Sequence, residues 1–128
     1  MNIIAIAFGG AIGAVLQYFL GGWVQQMTDS LFPWGTLLVN LVGSLAFGAL
    51  WSLFELSSLS PLWRHFWFIG LLGAFTTFST FSAETFFMLN EQEWLMALGN
   101  IVASVTGGLL AAYLGYHLVL FLPQIQGR

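Results

Sequence analysis

The stretch Gly73-Ala74-Phe75-Thr76-Thr77-Phe78-Ser79-Thr80-Phe81 stands in the middle of the third long apolar segment of this 128-residue chain, and its reading decides the fold. It makes poor helix. Branched threonines crowd the preceding turn, and Ser and Thr hydroxyls compete for nearby backbone groups. A membrane helix would lose little by filling these positions with Leu. At membrane depth such an interruption is tolerated only where protein or a water-filled path satisfies the freed backbone. The stretch is therefore expected to break a spanning helix and to form part of a site.

The rest of the chain supplies the membrane setting. It is 59% hydrophobic and 5% charged, too few charges to cover a soluble globule. There is no lysine, and Arg64 and Arg128 are the only arginines, so no basic face exists for nucleic acid. Cysteine is absent, which removes disulfides, thiol nucleophiles and cysteine metal sites. The N-terminal apolar run lacks a basic leader and an obvious cleavage site, so it reads as a first span. The chain is read as a single four-span domain, with spans at about 2–20, 34–54, 62–89 and 94–122. The third exceeds the roughly 20 residues that a span needs, as a helix broken in its middle should. Trp23, Trp34, Trp51, Trp63, Trp67 and Trp94 fall near span ends, where an aromatic belt is expected. Gly9, Gly10, Gly13 and Ala14 in the first span, Gly43, Ser44 and Gly48 in the second, and Ala103, Gly107, Ala111 and Gly115 in the fourth give small-residue faces for close helix packing. They exceed what one bundle needs for itself, and a dimer is expected.

Catalysis finds little support. Glu84 is the one carboxylate well inside a span, and no nucleophile–base or metal-ligand spacing recurs among His65, His117 and the acids. Both histidines read as snorkelling or locally bonded side chains. Ser44, Ser52 and Thr106 are each expected to bond back to their own helix. Asn40 is different, because its amide has no good local partner and must reach another helix or a pathway. Phe75, Phe78 and Phe81 recur every third residue and fall roughly on one helix face, with Ser82 and Thr85. Ring edges are positive. Beside neutral hydroxyl and amide donors they would offer weak, repeated anion contacts, which conduction needs. Which of the three rings lines such a path is left open by the spacing.

Three motifs in order resemble one family, the Fluc (CrcB) fluoride channels, over essentially the whole chain. They are Gly9-Gly10-Ala11-Ile12-Gly13-Ala14, Gly35-Thr36-Leu37-Leu38-Val39-Asn40, and Gly73 to Phe81 followed by Ser82-Ala83-Glu84. The resemblance implies an all-α membrane protein assembled as an antiparallel dimer, with two fluoride pathways and a central sodium ion, structural or regulatory. It makes Phe78 and Phe81 the pore phenylalanines and Asn40 a pore donor, and it places Ser79, Thr80 and Ser104 on a polar track. The carbonyls of Gly73 and Thr76 match those that hold sodium, two from each subunit. The implied function is passive fluoride export across a prokaryotic inner membrane. Hydrogen fluoride enters, ionises in the more alkaline cytoplasm, and the anion needs an exit.

The chain departs from the family at Gln17, where arginine is common, and at Ala74, where a second glycine is common. Arg64 and Arg128 fall on the side of the termini, and the opposite side has no Lys or Arg. The positive-inside rule therefore predicts a preferred orientation, with both termini in the cytoplasm. A chain so biased would pair with a related chain inserted the other way, whereas an unbiased one pairs with itself. Two rival functions are a small multidrug-resistance-type, proton-coupled transporter and a structural subunit of a membrane complex. The first should carry a first-span carboxylate, which is missing here; the second leaves the clustered hydroxyls and phenylalanines unexplained.

Overall fold

A computed structural model describes residues 1–122, so Pro123, expected to stop the fourth span, and Arg128 lie outside the described residues. Among those residues the chain is all helix, without strands. Helix α1 spans Asn2–Gln26, α2 Trp34–Leu56, α3 residues 61–75, α4 Phe78–Asn90 and α5 Trp94–Leu120. The third span, Pro61–Asn90, is α3 and α4 joined through Thr76 and Thr77, and each of the four spans is long and apolar enough to cross a membrane. The break falls where the hydroxyl-rich stretch predicts it.

The first span differs from its expected end at Leu20 and runs on to Gln26. Gly21 does not stop it, because close packing of α1 on α2 holds it: a Cβ on Gly35 would fall on the Gly21 carbonyl oxygen. Gln25 then closes the turn. Its Nε2 donates to the Ser30 and Phe32 carbonyls at 3.0 and 3.2 Å, and its Oε1 accepts the Gly35 N–H at 3.1 Å, satisfying an orphan donor at the start of α2. The fourth span ends at Leu120 rather than Leu122.

The bundle is built from two close helix pairs, α1 on α3 and α2 on α5. Glycine sets both approaches. A Cβ on Gly70 would lie 2.7 Å from the Ile6 carbonyl oxygen, and one on Gly9 would fall on that of Phe66. In the second pair, Cβ atoms on Gly48 and Gly115 would fall on the carbonyl oxygens of Ala112 and Leu45. These small-residue faces are thus used inside the chain and do not by themselves call for a partner. Within α3, His65–Leu72 is π-helical, with the Gly73 N–H reaching the Phe68 carbonyl five residues back. His65 Nδ1 lies 2.7 Å from the Pro61 carbonyl oxygen, the local bond expected of it.

Back-bonding to the helix occurs at Ser57, Thr76 and Thr85, but not at Ser44, Ser52 or Thr106, where it was expected. Ser52 is the clearest case: fully buried, with Oγ unpartnered. An unpaired buried hydroxyl costs on the order of 1 kcal/mol. Ser52→Ala should therefore raise the thermal unfolding midpoint of the protein in detergent. A lowered midpoint would show that the hydroxyl has a stabilising partner.

Candidate functional site

The break is made by two residues. Thr76 (φ −83°, ψ 152°) and Thr77 (φ −144°, ψ 113°) are both extended, which turns the chain out of α3 before α4 begins. Extended backbone in the membrane leaves polar groups to satisfy. Asn40 on α2 does this for Thr77: its Oδ1 accepts the Thr77 N–H at 2.8 Å and its Nδ2 donates to the Thr77 carbonyl at 3.2 Å. The second Nδ2 proton of Asn40 is not used by this pair. The Thr77 side chain caps α4. Its Oγ1 accepts the Thr80 N–H at 3.2 Å and donates to Thr80 Oγ1 at 2.9 Å, with Ser79 Oγ 3.4 Å away. The capping leaves the Phe78 and Ser79 N–H groups of the first turn available. Together with the helix dipole they make this end of α4 electropositive without a charged side chain.

Around this helix end opens a cavity of about 260 Å³ lined by Asn40, Ser44, Thr76, Thr77, Phe78, Phe81, Ser104 and Val105. Four of the residues expected on the ion path, Asn40, Phe78, Phe81 and Ser104, therefore share one space. The rings of Phe78 and Phe81 are 5.6 Å apart between centroids and tilted by 47°. Phe78 is 79% exposed in the single chain, a large apolar ring left open beside a polar cavity. Phe75 does not join them. It precedes the break and is buried in the core, so the one-face reading of the three phenylalanines fails at Phe75. Thr85, also placed on that face, is buried and bonded to Asn100, while Ser82 is exposed.

Thr80 lines a second, larger space. A cavity of about 510 Å³ lies between α1, the start of α2 and α4, and holds Gln17, Thr36, Thr80 and Glu84. Thr36 Oγ1 donates to Glu84 Oε1 at 2.7 Å, and Glu84 Oε2 is buried without a partner within the protein. Ser79 is exposed on the outer side of α4 and lines neither cavity. Gly73 and Thr76 border a third space, about 270 Å³, with Gly43, Ser44, Phe47, Phe68, Leu72 and Ala112. In a continued helix the Thr77 N–H would bond the Gly73 carbonyl; here it goes to Asn40 Oδ1. The break thus frees the Gly73 carbonyl, and oxygen donors of this kind suit a hard cation. Two contributions were not legible as part of the site: Gln25, whose clip fixes the helix start carrying Thr36, and Asn100, whose amide bonds both Thr85 and Ser104.

Neutral donors and ring edges around a helix break, in a chain with four helices long and apolar enough to cross a membrane, are what a membrane transport protein offers a small ion. The comparisons with known proteins give the family. The CrcB-like protein, Camphor Resistance (CrcB), family matches residues 4–116. Over 118 residues the chain is 49% identical to the fluoride-specific ion channel FluC of Shewanella frigidimarina, covering 92% of this chain and 95% of that protein. The proteins of the same name from Shewanella baltica and Shewanella oneidensis are 46% and 44% identical over the same shares. The chain belongs to the CrcB family.

Proposed function

We propose that this protein is a fluoride-selective channel that lets accumulated fluoride leave the cell passively. The observation that carries the reading is the 260 Å³ cavity, where Asn40, Phe78, Phe81 and Ser104 meet the electropositive start of α4 with no lysine or arginine among them. Weak neutral contacts hold an anion without trapping it. The relatives named fluoride-specific ion channels support the choice of anion. On this reading Asn40, Phe78, Phe81 and Ser104 contact the ion, and Thr80, joined by Ser79 once a second chain covers it, lines its approach.

The active form is an antiparallel dimer. Phe78, Ser79 and Ser82 are exposed on α4 at membrane depth, and the cavity beside them lacks an outer wall. Polar groups at that depth require a protein cover, which a second chain supplies. The carbonyls of Gly73 and Thr76, two from each subunit, would hold a sodium ion that ties the two breaks together. The charge count predicts one preferred orientation, with the termini in the cytoplasm, so the partner is this chain or a related chain inserted oppositely.

A bacterial strain lacking its own fluoride exporter provides the test. Expression of this protein should restore growth in fluoride and give no protection against quaternary ammonium compounds. Protection against the organic cations instead would favour the multidrug-transporter reading, and protection against neither would favour a structural subunit.

A further inference from the structure

Ser104 borders the same cavity as Asn40, Phe78 and Phe81, yet its proton is committed elsewhere. The far end of a short chain of hydrogen bonds decides this. The Phe81 carbonyl oxygen can only accept, so Thr85 Oγ1, 2.7 Å away, must donate to it. That uses the one proton Thr85 has. Asn100 must then present its Nδ2 to Thr85 Oγ1, at 2.9 Å, which fixes the orientation of the amide. The amide oxygen is left facing Ser104 Oγ at 3.3 Å and takes its proton. Asn100 is buried, so neither lipid nor bulk water competes for these groups.

We propose that Asn100, oriented by Thr85, is a positioning residue that determines anion specificity by withholding the Ser104 proton from the cavity. The proposal rests on the fluoride-channel reading above. In the resting arrangement Ser104 turns lone pairs toward the cavity, and these repel an anion. An anion gains the hydroxyl as a donor only by drawing the proton away from the Asn100 oxygen. The bond to be broken is weak, since 3.3 Å is long for a hydroxyl donor, whose usual distance is about 2.7–2.8 Å. A hydrogen bond to an ion is roughly twice as strong as one between neutral groups. Fluoride is the most basic halide and the strongest acceptor, and it wins the proton. Chloride, a weak acceptor, leaves Ser104 turned away. Thr85 and Asn100 thus make the Ser104 donor conditional on how strongly the ion accepts.

The test compares fluoride and chloride flux through purified, reconstituted variants. Thr85→Val keeps the shape of the side chain but removes the acceptor that orients Asn100. The fluoride-to-chloride flux ratio should then fall by about tenfold, the effect of one hydrogen bond to a charged group. Thr85→Ser, which keeps the hydroxyl, should restore the wild-type ratio. In a Ser104→Ala background Thr85→Val should no longer change the ratio. A merely structural role predicts the same change in both backgrounds, and that result, or an unchanged ratio in Thr85→Val alone, overturns the proposal. Should Thr85→Val not assemble, the wild-type protein still decides. Added fluoride should shift the side-chain amide resonances of Asn100 and added chloride should not; no response to fluoride overturns the proposal. A wild-type protein that passes no fluoride removes the channel reading, and this proposal with it. A conducting wild type accompanied by any of the three overturning results leaves that reading intact.

Discussion

Replacing Asn40 by Asp should nearly abolish fluoride efflux while leaving an assembled protein. The Asn40 amide bonds both backbone groups of Thr77, donating to the carbonyl at 3.2 Å and accepting from the N–H at 2.8 Å. Asp keeps the acceptor and loses the donor, so a carboxylate oxygen would face the Thr77 carbonyl. It also places a negative charge on the cavity that Phe78, Phe81 and Ser104 share. Two like charges about 4 Å apart repel by about 4 kcal/mol at an effective dielectric constant of about 20. Efflux should therefore fall by at least about a hundredfold. The charge also costs about 2.5–3.5 kcal/mol on membrane insertion, so assembly must be checked by size-exclusion chromatography of the detergent-solubilised protein. An assembled Asn40→Asp protein that conducts at the wild-type rate would remove Asn40 from the ion path.

The phenylalanines should divide by position rather than by spacing. Ile in place of Phe78 or Phe81 keeps apolar bulk and removes the positive ring edge. An aromatic edge contact is worth about 0.5–1.5 kcal/mol, so each change should slow efflux by about three- to tenfold. Phe75→Ile should do less to efflux and more to stability. Phe75 is 6% exposed, against the 79% of Phe78. Its replacement reshapes a packed core at about 1–2 kcal/mol, visible as a lowered unfolding midpoint. Equal efflux from all three variants would contradict the aromatic pathway.

That contrast shows what the sequence could and could not convey. The break itself was legible, because four hydroxyl residues among apolar ones have no reason to sit in a lipid-facing helix. The fate of Phe75 was not. A threefold spacing places rings on one face only if the helix continues, and Thr76 and Thr77 turn the backbone between Phe75 and Phe78. Asn40 was legible as a side chain in need of a partner. Its partner is a backbone amide 37 residues away, which exists only once the helix has broken. The small-residue faces signalled close packing correctly, but spacing does not say which helix is approached, and Gly9, Gly48 and Gly115 meet neighbours within the chain. The first span was expected to end at Leu20, before two glycines and the polar Gln25 and Gln26, yet the tight helix contact at Gly21 and the bonds of Gln25 carry α1 on to Gln26. The π-helical turns of α3 have no signature in His65-Phe66-Trp67-Phe68-Ile69-Gly70-Leu71-Leu72, which is apolar after its first residue. Asn100 and Thr85 were visible as neutral polar groups, but the direction of their hydrogen bonds depends on a tertiary contact between α4 and α5.

The central claim is that this chain conducts fluoride through the cavity at its helix break. The most direct measurement is fluoride efflux, followed with a fluoride electrode, from liposomes containing only the purified protein and loaded with fluoride. A potassium ionophore balances the charge, and matched chloride-loaded liposomes measure leakage. The account predicts rapid fluoride release that depends on the protein, with chloride retained. Fluoride release no faster than from protein-free liposomes, with the protein shown to be inserted and assembled, would contradict it.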